Sequence, residues 1–144
     1  METGAYIRLI FGKANKAIEQ VDRKSIAGTG LNVSDFSILE ALHHKGPMAI
    51  NAVGEKVLLT SGSMTAAVNR LESKGLVERV RDTLDGRSFY LHLTKPGLKL
   101  IRNAYRRHSE NLEKIFECLD EKEREDLVRL LKKLGYHALQ VEAC

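Results

Sequence analysis

The spacing of apolar residues changes from a helical to a β period at Gly75, and no other feature constrains the fold as much. Before this glycine the pattern predicts two short helices. One covers residues 51–58 and is capped by its first residue, an asparagine. The other covers residues 61–74 and is capped by Thr60 or Ser61. Because the link between them is tight, the two helices are expected to form a helix-turn-helix unit.

After the glycine come two short β-like runs, residues 76–80 and 88–93, which are rich in β-branched and aromatic residues. The polar segment between them contains Asp85-Gly86, a pair that favours a hairpin turn. A helix-turn-helix followed directly by a charged hairpin is the winged form of that motif. We therefore predict a mainly α fold with a small β-hairpin wing, in which residues 31–97 form a winged helix-turn-helix DNA-binding region.

Apolar residues at alternating spacings of 3 and 4 predict helices on both sides of this region. The first helix covers about residues 5–24, and the last two, capped by Thr94 and Asp120, carry heptad seams suited to helix–helix packing. Seams this long exceed what a chain of 144 residues can cover with its own core. We predict a single-domain chain and a homodimer, with residues 1–30 and 98–144 as dimerisation helices.

One further helix and one short strand-like segment complete the predicted order of elements. Ser34 is a favourable N-cap for this helix, whose buried face includes Phe36 and Leu39. It is expected to end at Lys45-Gly46-Pro47, because glycine suits a helix end and proline cannot continue the helix. Residues 48–50 are then expected to be extended.

Positive charge is concentrated in the middle of the chain, although the whole chain carries only +4. Residues 56–107 hold eleven basic and four acidic side chains, a net +7, against zero for residues 1–55 and −3 for residues 108–144. This distribution is expected if the middle segment meets a polyanion. No apolar run approaches the roughly 18 residues of a membrane helix, and the first four residues lack a secretion signal. We therefore expect no membrane partner and a cytoplasmic location.

The second helix of the unit carries small and polar residues on the side away from its apolar stripe, which suits close approach to base edges. Hydroxyls can bond several bases, asparagine favours adenine, and arginine favours guanine or phosphate. The hairpin adds arginines that can enter the minor groove, and Asp85 is expected to orient the guanidinium of Arg87. The candidate DNA-contacting residues are Ser61, Gly62, Ser63, Thr65, Ala66, Asn69, Arg70, Arg79, Arg81, Asp85 and Arg87.

Other classes of protein stay open at this point. A non-specific architectural or protein-interaction module would show little sequence preference and strongly salt-dependent binding. An enzyme has the least support, since no catalytic triad, carboxylate pair or phosphate-binding glycine loop occurs at usable spacing, and we expect neither cofactor nor metal. His43-His44 is interpreted as a helix-end pair, because adjacent residues do not share a helical face. A redox role for Cys118 or Cys144 is an open alternative.

Several correlated pieces of sequence occur in a characteristic order: residues 71–77, Arg79, residues 85–87, and Leu93-Thr94 with Gly97. With these pieces the stretch from Leu31 to Ile101 resembles the MarR family of bacterial regulators. A finer similarity, to the quinone-responsive MhqR-like branch, is carried by residues 44–47, Gly54-Glu55, Leu58-Leu59, Ser61-Gly62-Ser63 with Thr65, and residues 71–80.

The resemblance implies a homodimer on a double-stranded inverted-repeat operator, usually a repressor that a small ligand or oxidant releases. The MhqR-like branch implies quinones or other aromatic electrophiles as the small-molecule effector. By the layout of the family, the residues expected to line a ligand pocket are Ile10, Phe11, Leu39, His43 and Tyr105.

Overall fold

The computed structural model describes residues 2–143, over which six helices surround a small antiparallel sheet. In chain order the elements are α1 (Thr3–Ala27), α2 (Val33–Lys45), β1 (Met48–Ala49), α3 (Ile50–Val57), α4 (Ser61–Ser73), β2 (Val77–Arg81), β3 (Phe89–Leu93), α5 (Lys95–Phe116) and α6 (Glu121–Ala143). The predicted fold class, mainly α with a hairpin wing, is confirmed.

Side-chain caps and one glycine set the limits of α4 and α5, the helices on either side of the wing. The Ser63 backbone N–H donates to Thr60 Oγ1 at 3.2 Å, so Thr60 rather than Ser61 caps α4. The Gly97 N–H donates to Thr94 Oγ1 at 3.1 Å at the start of α5. Gly75 follows α4 with a φ of 72°, a left-handed conformation that glycine adopts without a Cβ penalty. These three predicted boundaries are confirmed.

Two predicted caps are wrong. Helix α2 begins before Ser34, because the Asn32 side chain accepts the backbone N–H of Asp35 at 2.8 Å and asparagine caps as well as serine does. Helix α3 begins at Ile50, so Asn51 lies inside its first turn. Strand β1 is held extended up to Ala49 by its pairing with β3, so α3 begins at the next residue.

The wing belongs to a three-stranded sheet with the order β1-β3-β2. Strands β2 and β3 pair from Val77 opposite Leu93 to Arg81 opposite Phe89, which forms the predicted hairpin. Strand β1, expected only as an extended segment, adds a third strand to the far edge of β3. This pairing anchors the wing to the front of α3, which follows β1 directly.

The core lies around α2, whose Phe36, Ile38 and Leu39 are almost completely buried. Side chains from every neighbouring element close around them, among them Leu71 of α4 and Ile101 of α5. The helix-turn-helix and the wing are therefore held on one hydrophobic core together with the start of α5.

Helices α1 and α5 meet in a partly polar junction beside this core. His108 is buried, its Nδ1 lies 3.1 Å from Ser25 Oγ, and its Nε2 lies 3.8 Å from the Asp22 carboxylate. The ring packs edge-on against Phe36, with centroids 5.3 Å apart. Ile101 and His108 belong to the seam predicted on α5, so part of that seam is covered within the same chain.

Helix α6 differs from the other long helices, since none of its described residues is buried. The exposed large apolar residues of α6 are Val128, Leu130, Leu131, Leu134, Tyr136, Leu139 and Val141. Five more lie on the first three turns of α1: Tyr6, Ile7, Leu9, Ile10 and Phe11. Within residues 2–143, no helix is at once long and apolar enough to cross a lipid bilayer.

Candidate nucleic-acid interface

Helix α4 presents the predicted polar face to solvent. Its apolar stripe, with Met64, Val68 and Leu71, is buried. The candidate DNA-contacting residues on this helix are all exposed: Ser61, Gly62, Ser63, Thr65, Ala66, Asn69 and Arg70. The hydroxyl of Thr65 donates to the carbonyl oxygen of Ser61 at 3.0 Å, which leaves its oxygen lone pairs facing outward as acceptors.

The N-terminal end of α4 and the wing border a common groove with a volume of about 490 Å³. Ser61 and Thr65 line it from α4, and Arg87 lines it from the wing. Two residues of α3, Asn51 and Glu55, line it as well, and the sequence pattern did not identify them. Their spacing of four places them on one side of α3, a signal that becomes informative only once the packing of α3 is known.

The wing arginines have different surroundings. Arg79 of β2 is half-buried and donates to the Glu72 carboxylate and, at 2.8 Å, to the Asn69 side-chain oxygen, both on α4. Arg81 lies over the ring of Phe89, 5.4 Å from its centroid, in a cation–π arrangement. Arg79 therefore ties the wing to α4, whereas the exposed Arg81 stacks on the wing itself.

Asp85 acts on the wing turn in a different way from the predicted one. Its carboxylate accepts the backbone N–H of Arg87 at 3.0 Å and the hydroxyl of Ser88 at 3.1 Å. Aspartate commonly bonds the backbone two residues ahead in turns, and this local bond takes the place of the expected contact with the guanidinium. The prediction that Asp85 orients the Arg87 guanidinium is wrong. Asp85 shapes the turn, and the exposed Arg87 side chain projects from it.

Arg70 is held by a residue that the sequence pattern did not single out. Its Nε and Nη2 donate to the two carboxylate oxygens of Asp35 at 3.1 and 2.8 Å. The pKa of Arg70 is raised, chiefly by the hydrogen bonding to Asp35, against partial desolvation. The sequence held a signal that Asp35 needs a partner, although it did not identify Arg70 as that partner. Asp35 lies one turn before Leu39 on the stripe that α2 buries, and a buried carboxylate requires a partner.

The residues expected to line a ligand pocket fall into three environments. His43 and Tyr105 are half-buried with ring centroids 6.1 Å apart, and the structure brings them together with His44, whose ring lies 4.6 Å from Tyr105. Leu39 is fully buried in the core beneath them, and Ile10 and Phe11 are exposed on α1. Within one chain the structure thus brings together two of the five candidates, His43 and Tyr105, and adds His44 beside them to form an aromatic cluster.

Two other predicted features concern metals and thiols. Among residues 2–143 no group of three or more His, Cys, Asp or Glu side chains is arranged to hold a metal ion. Cys118 is exposed near the end of α5, with its Sγ 3.5 Å from the carbonyl oxygen of Ile115. Cys144 lies outside the described residues.

Comparison with known proteins agrees with this geometry. The sequence profile of the MarR family matches residues 29–88, which include the helix-turn-helix and most of the wing. The HTH-type transcriptional regulator MhqR of Bacillus subtilis is 33% identical over 132 residues, which cover 92% of this chain and 91% of that protein.

Solved structures share the fold. AbsC, a MarR family regulator from Streptomyces coelicolor, superposes with a TM-score of 0.89 at 20% identity, over 97% of each chain. NadR, solved in complex with 4-hydroxyphenylacetate, has a TM-score of 0.77 at 25% identity, over 89% of this chain and 91% of its own. The chain belongs to the MarR family of DNA-binding transcriptional regulators.

Proposed function

We propose that this regulator is a homodimer that binds an inverted-repeat operator and acts as a repressor released by a small aromatic or electrophilic ligand or by an oxidant. The observation that carries the DNA part of the proposal is the common groove of α4 and the wing. Ser61 and Thr65 face it from one side and Arg87 from the other. A helix and a basic wing tip placed in this way suit a major groove and the adjacent minor groove.

Helix α4 and the wing are proposed to contact different parts of the DNA. The hydroxyl of Thr65 donates internally to Ser61, so Thr65 faces the groove as an acceptor and favours the amino groups of adenine or cytosine. At the start of α4 the backbone N–H groups of Ser61 and Gly62 suit a phosphate, whereas the N–H of Ser63 is bonded to Thr60. Arg87 supplies positive charge at the wing tip, where the potential of a narrow minor groove is most negative.

Dimerisation is supported by the apolar faces of α1 and α6. A helix such as α6, with seven large apolar residues exposed and none of its described residues buried, requires a partner to remove that surface from water. A second copy of the chain supplies an identical face, as two-fold dimers require. Residues 1–30 and 98–144 are therefore proposed as the dimerisation helices, with residues 31–97 as the DNA-binding region.

The aromatic cluster of His43, His44 and Tyr105 supports an aromatic effector. The half-buried rings of His43 and Tyr105 and the exposed ring of His44 offer stacking and hydrogen-bonding groups at the junction of α2 and α5. The resemblance to the quinone-responsive MhqR-like branch and the similarity to NadR, which was solved with 4-hydroxyphenylacetate, support this class of ligand. The ligand releases DNA only to the extent that it binds more tightly to a dimer whose α4 helices have left the spacing of about 34 Å.

Selection of preferred DNA from a random pool tests the DNA part of the proposal. We expect a palindrome with half-sites about 10 bp apart. Thr65→Ala should change the preferred base at one position of each half-site, with about 1–3 kcal/mol lost there, whereas Arg87→Ala should weaken binding to all sequences. Equal binding to all DNA, lost equally as salt rises, would instead support the architectural module.

Titration of a benzoquinone and of 4-hydroxyphenylacetate into the protein–operator complex tests the effector. Release of DNA by either compound, reduced in Tyr105→Leu but retained in Cys118→Ser, would support the aromatic cluster. Loss of the response in Cys118→Ser alone would assign the response to the thiol.

A further inference from the structure

We infer that Arg70 is a positioning residue that holds the recognition helix α4 on α2 through Asp35, and that it does not contact DNA. This inference rests on the proposed sequence-specific binding. It changes the role that the sequence pattern gave to Arg70, which lies on the exposed side of α4 three turns from its cap.

The geometry of the pair is that of a fixed joint between the two helices. Asp35 lies in the first turn of α2 and is only 1% exposed, with its backbone N–H bonded to the cap residue Asn32. Both of its carboxylate oxygens accept from the Arg70 guanidinium, at 3.1 and 2.8 Å. Two parallel bonds to a planar fork fix orientation as well as distance.

The free-energy cost of breaking the Asp35–Arg70 ion pair explains why Arg70 does not bind a DNA phosphate instead. A carboxylate this deeply buried requires a charged partner, and removal of that partner leaves an uncompensated charge in the core. The Asp35 side chain is only 2% exposed, whereas the Arg70 side chain that covers it is 46% exposed, so the guanidinium is the group that shields this carboxylate from water. Movement of Arg70 toward DNA would therefore leave Asp35 unpaired.

The Asp35–Arg70 ion pair also lies close to the residues of α4 that are proposed to contact bases. Ala66 is one turn before Arg70 on the same side of α4, and Thr65 is the neighbour of Ala66. A rotation of α4 about its axis, once Arg70 is released, would turn Thr65 relative to the base edges and relative to the wing groove that it lines. The pair should therefore affect discrimination between sequences more than overall attraction to DNA.

The test measures affinity for the selected operator and for a scrambled duplex at several salt concentrations. The variants are Asp35→Asn, Arg70→Met, Arg70→Lys and the double Asp35→Asn/Arg70→Met. We expect each single variant to lower the ratio of specific to non-specific affinity by about tenfold, comparable to one lost base contact. The slope of log affinity against log salt should stay unchanged. The double variant should be no worse than either single variant, because both remove one interaction.

The Arg70→Lys variant separates positioning from a phosphate contact. Lysine keeps the charge but lacks the planar fork, so it should not restore discrimination if Arg70 acts through Asp35. A phosphate contact would instead be restored by lysine, and Arg70→Met would then reduce the salt slope by about 1.8, which is about 0.9 for each protomer of the dimer. In that case Asp35→Asn, whose side chain is buried away from DNA, would leave the affinity unchanged or raise it.

Circular dichroism of every variant at the assay temperature confirms that the comparison is made on folded protein. The double variant carries no buried charge, so it is expected to fold even if Arg70→Met alone does not. A wild-type protein without a preferred sequence would refute the proposed function. A selective wild type with a reduced slope in Arg70→Met, restored by lysine, would refute only the positioning role.

Discussion

Substitution of Gly97 by alanine should destabilise the protein through a direct backbone clash. A Cβ at this position would lie 2.0 Å from the carbonyl oxygen of Leu76, 2.9 Å from its carbonyl carbon and 3.2 Å from its Cα. Favourable contact between heavy atoms begins near roughly 3.5 Å, so α5 and the start of the wing would have to separate by more than about 1 Å. The atoms in the way are main-chain atoms, which no rotamer change can remove.

The expected magnitude follows from two opposing effects. Overpacking of a well-packed site typically costs about 1–3 kcal/mol, and a backbone clash belongs at the upper end of that range. Alanine recovers up to about 1 kcal/mol because it favours the helix more than glycine does. We therefore expect Gly97→Ala to lower the free energy of unfolding by about 2 kcal/mol.

Two other helical glycines provide matched controls. At Gly135 of α6 an added Cβ would have no other atom of the same chain within 4 Å, so Gly135→Ala should raise the free energy of unfolding by about 0.5–1 kcal/mol. At Gly54 the Cβ would lie 2.8 Å from Cγ of Met64, a flexible side chain that can move. Gly54→Ala should therefore fall between the other two variants.

Urea unfolding followed by circular dichroism measures this series. All variants must be compared at one protein concentration, because the stability of a dimer depends on concentration. The midpoint should fall in the order Gly135→Ala, wild type, Gly54→Ala, Gly97→Ala, at an unchanged m-value. A Gly97→Ala protein as stable as the Gly135→Ala protein would refute the steric reasoning.

Three further results are expected. Thr94→Ala should lower the free energy of unfolding by about 1 kcal/mol in the same urea assay, because the Gly97 N–H loses its acceptor, and Thr94→Ser should restore most of it. Burial raises the pKa of Asp22 above 3.8 despite the opposing effect of His108, so ionisation costs stability as pH rises through the raised value. The Tm of Asp22→Asn should therefore match wild type in acid and exceed it at neutral pH, and a constant difference at all pH values would contradict this. Leu134→Asp should weaken the proposed dimer at least about tenfold by light scattering, and an unchanged dimer would exclude that face.

Much of the fold could be predicted because its signals are local. A cap such as Thr60 or Thr94 bonds an N–H three residues ahead, and Gly75 ends α4 through its own backbone conformation. Interactions this close in the chain depend on residue type and spacing, which the sequence shows directly. Where two good cap residues compete within a few positions, as Asn32 and Ser34 do, spacing alone does not choose between them.

The third strand shows where local signals fail. Residues 48 and 49 pair with Leu91 and Tyr90, which lie more than forty positions away. A segment of two residues is too short to show the alternation of a strand, so the sequence pattern cannot indicate this pairing. The burial of Leu39 was predicted from the spacing of α2 and is observed, whereas its expected ligand role came from the layout of the family and not from a local signal. Helical spacing identifies a face, while burial depends on which elements pack against that face.

The sequence by itself determined the order of the elements, the limits of the recognition helix and the residues that its polar face carries. Only the tertiary structure decided the partners of the arginines. Arg70 meets Asp35 thirty-five positions away, Arg79 bonds Glu72 across the helix–strand junction, and Arg87 is left to project from the wing. The physical reason is that the partner of a long charged side chain depends on the three-dimensional position of its charge and on the burial of the groups around it, and folding sets both.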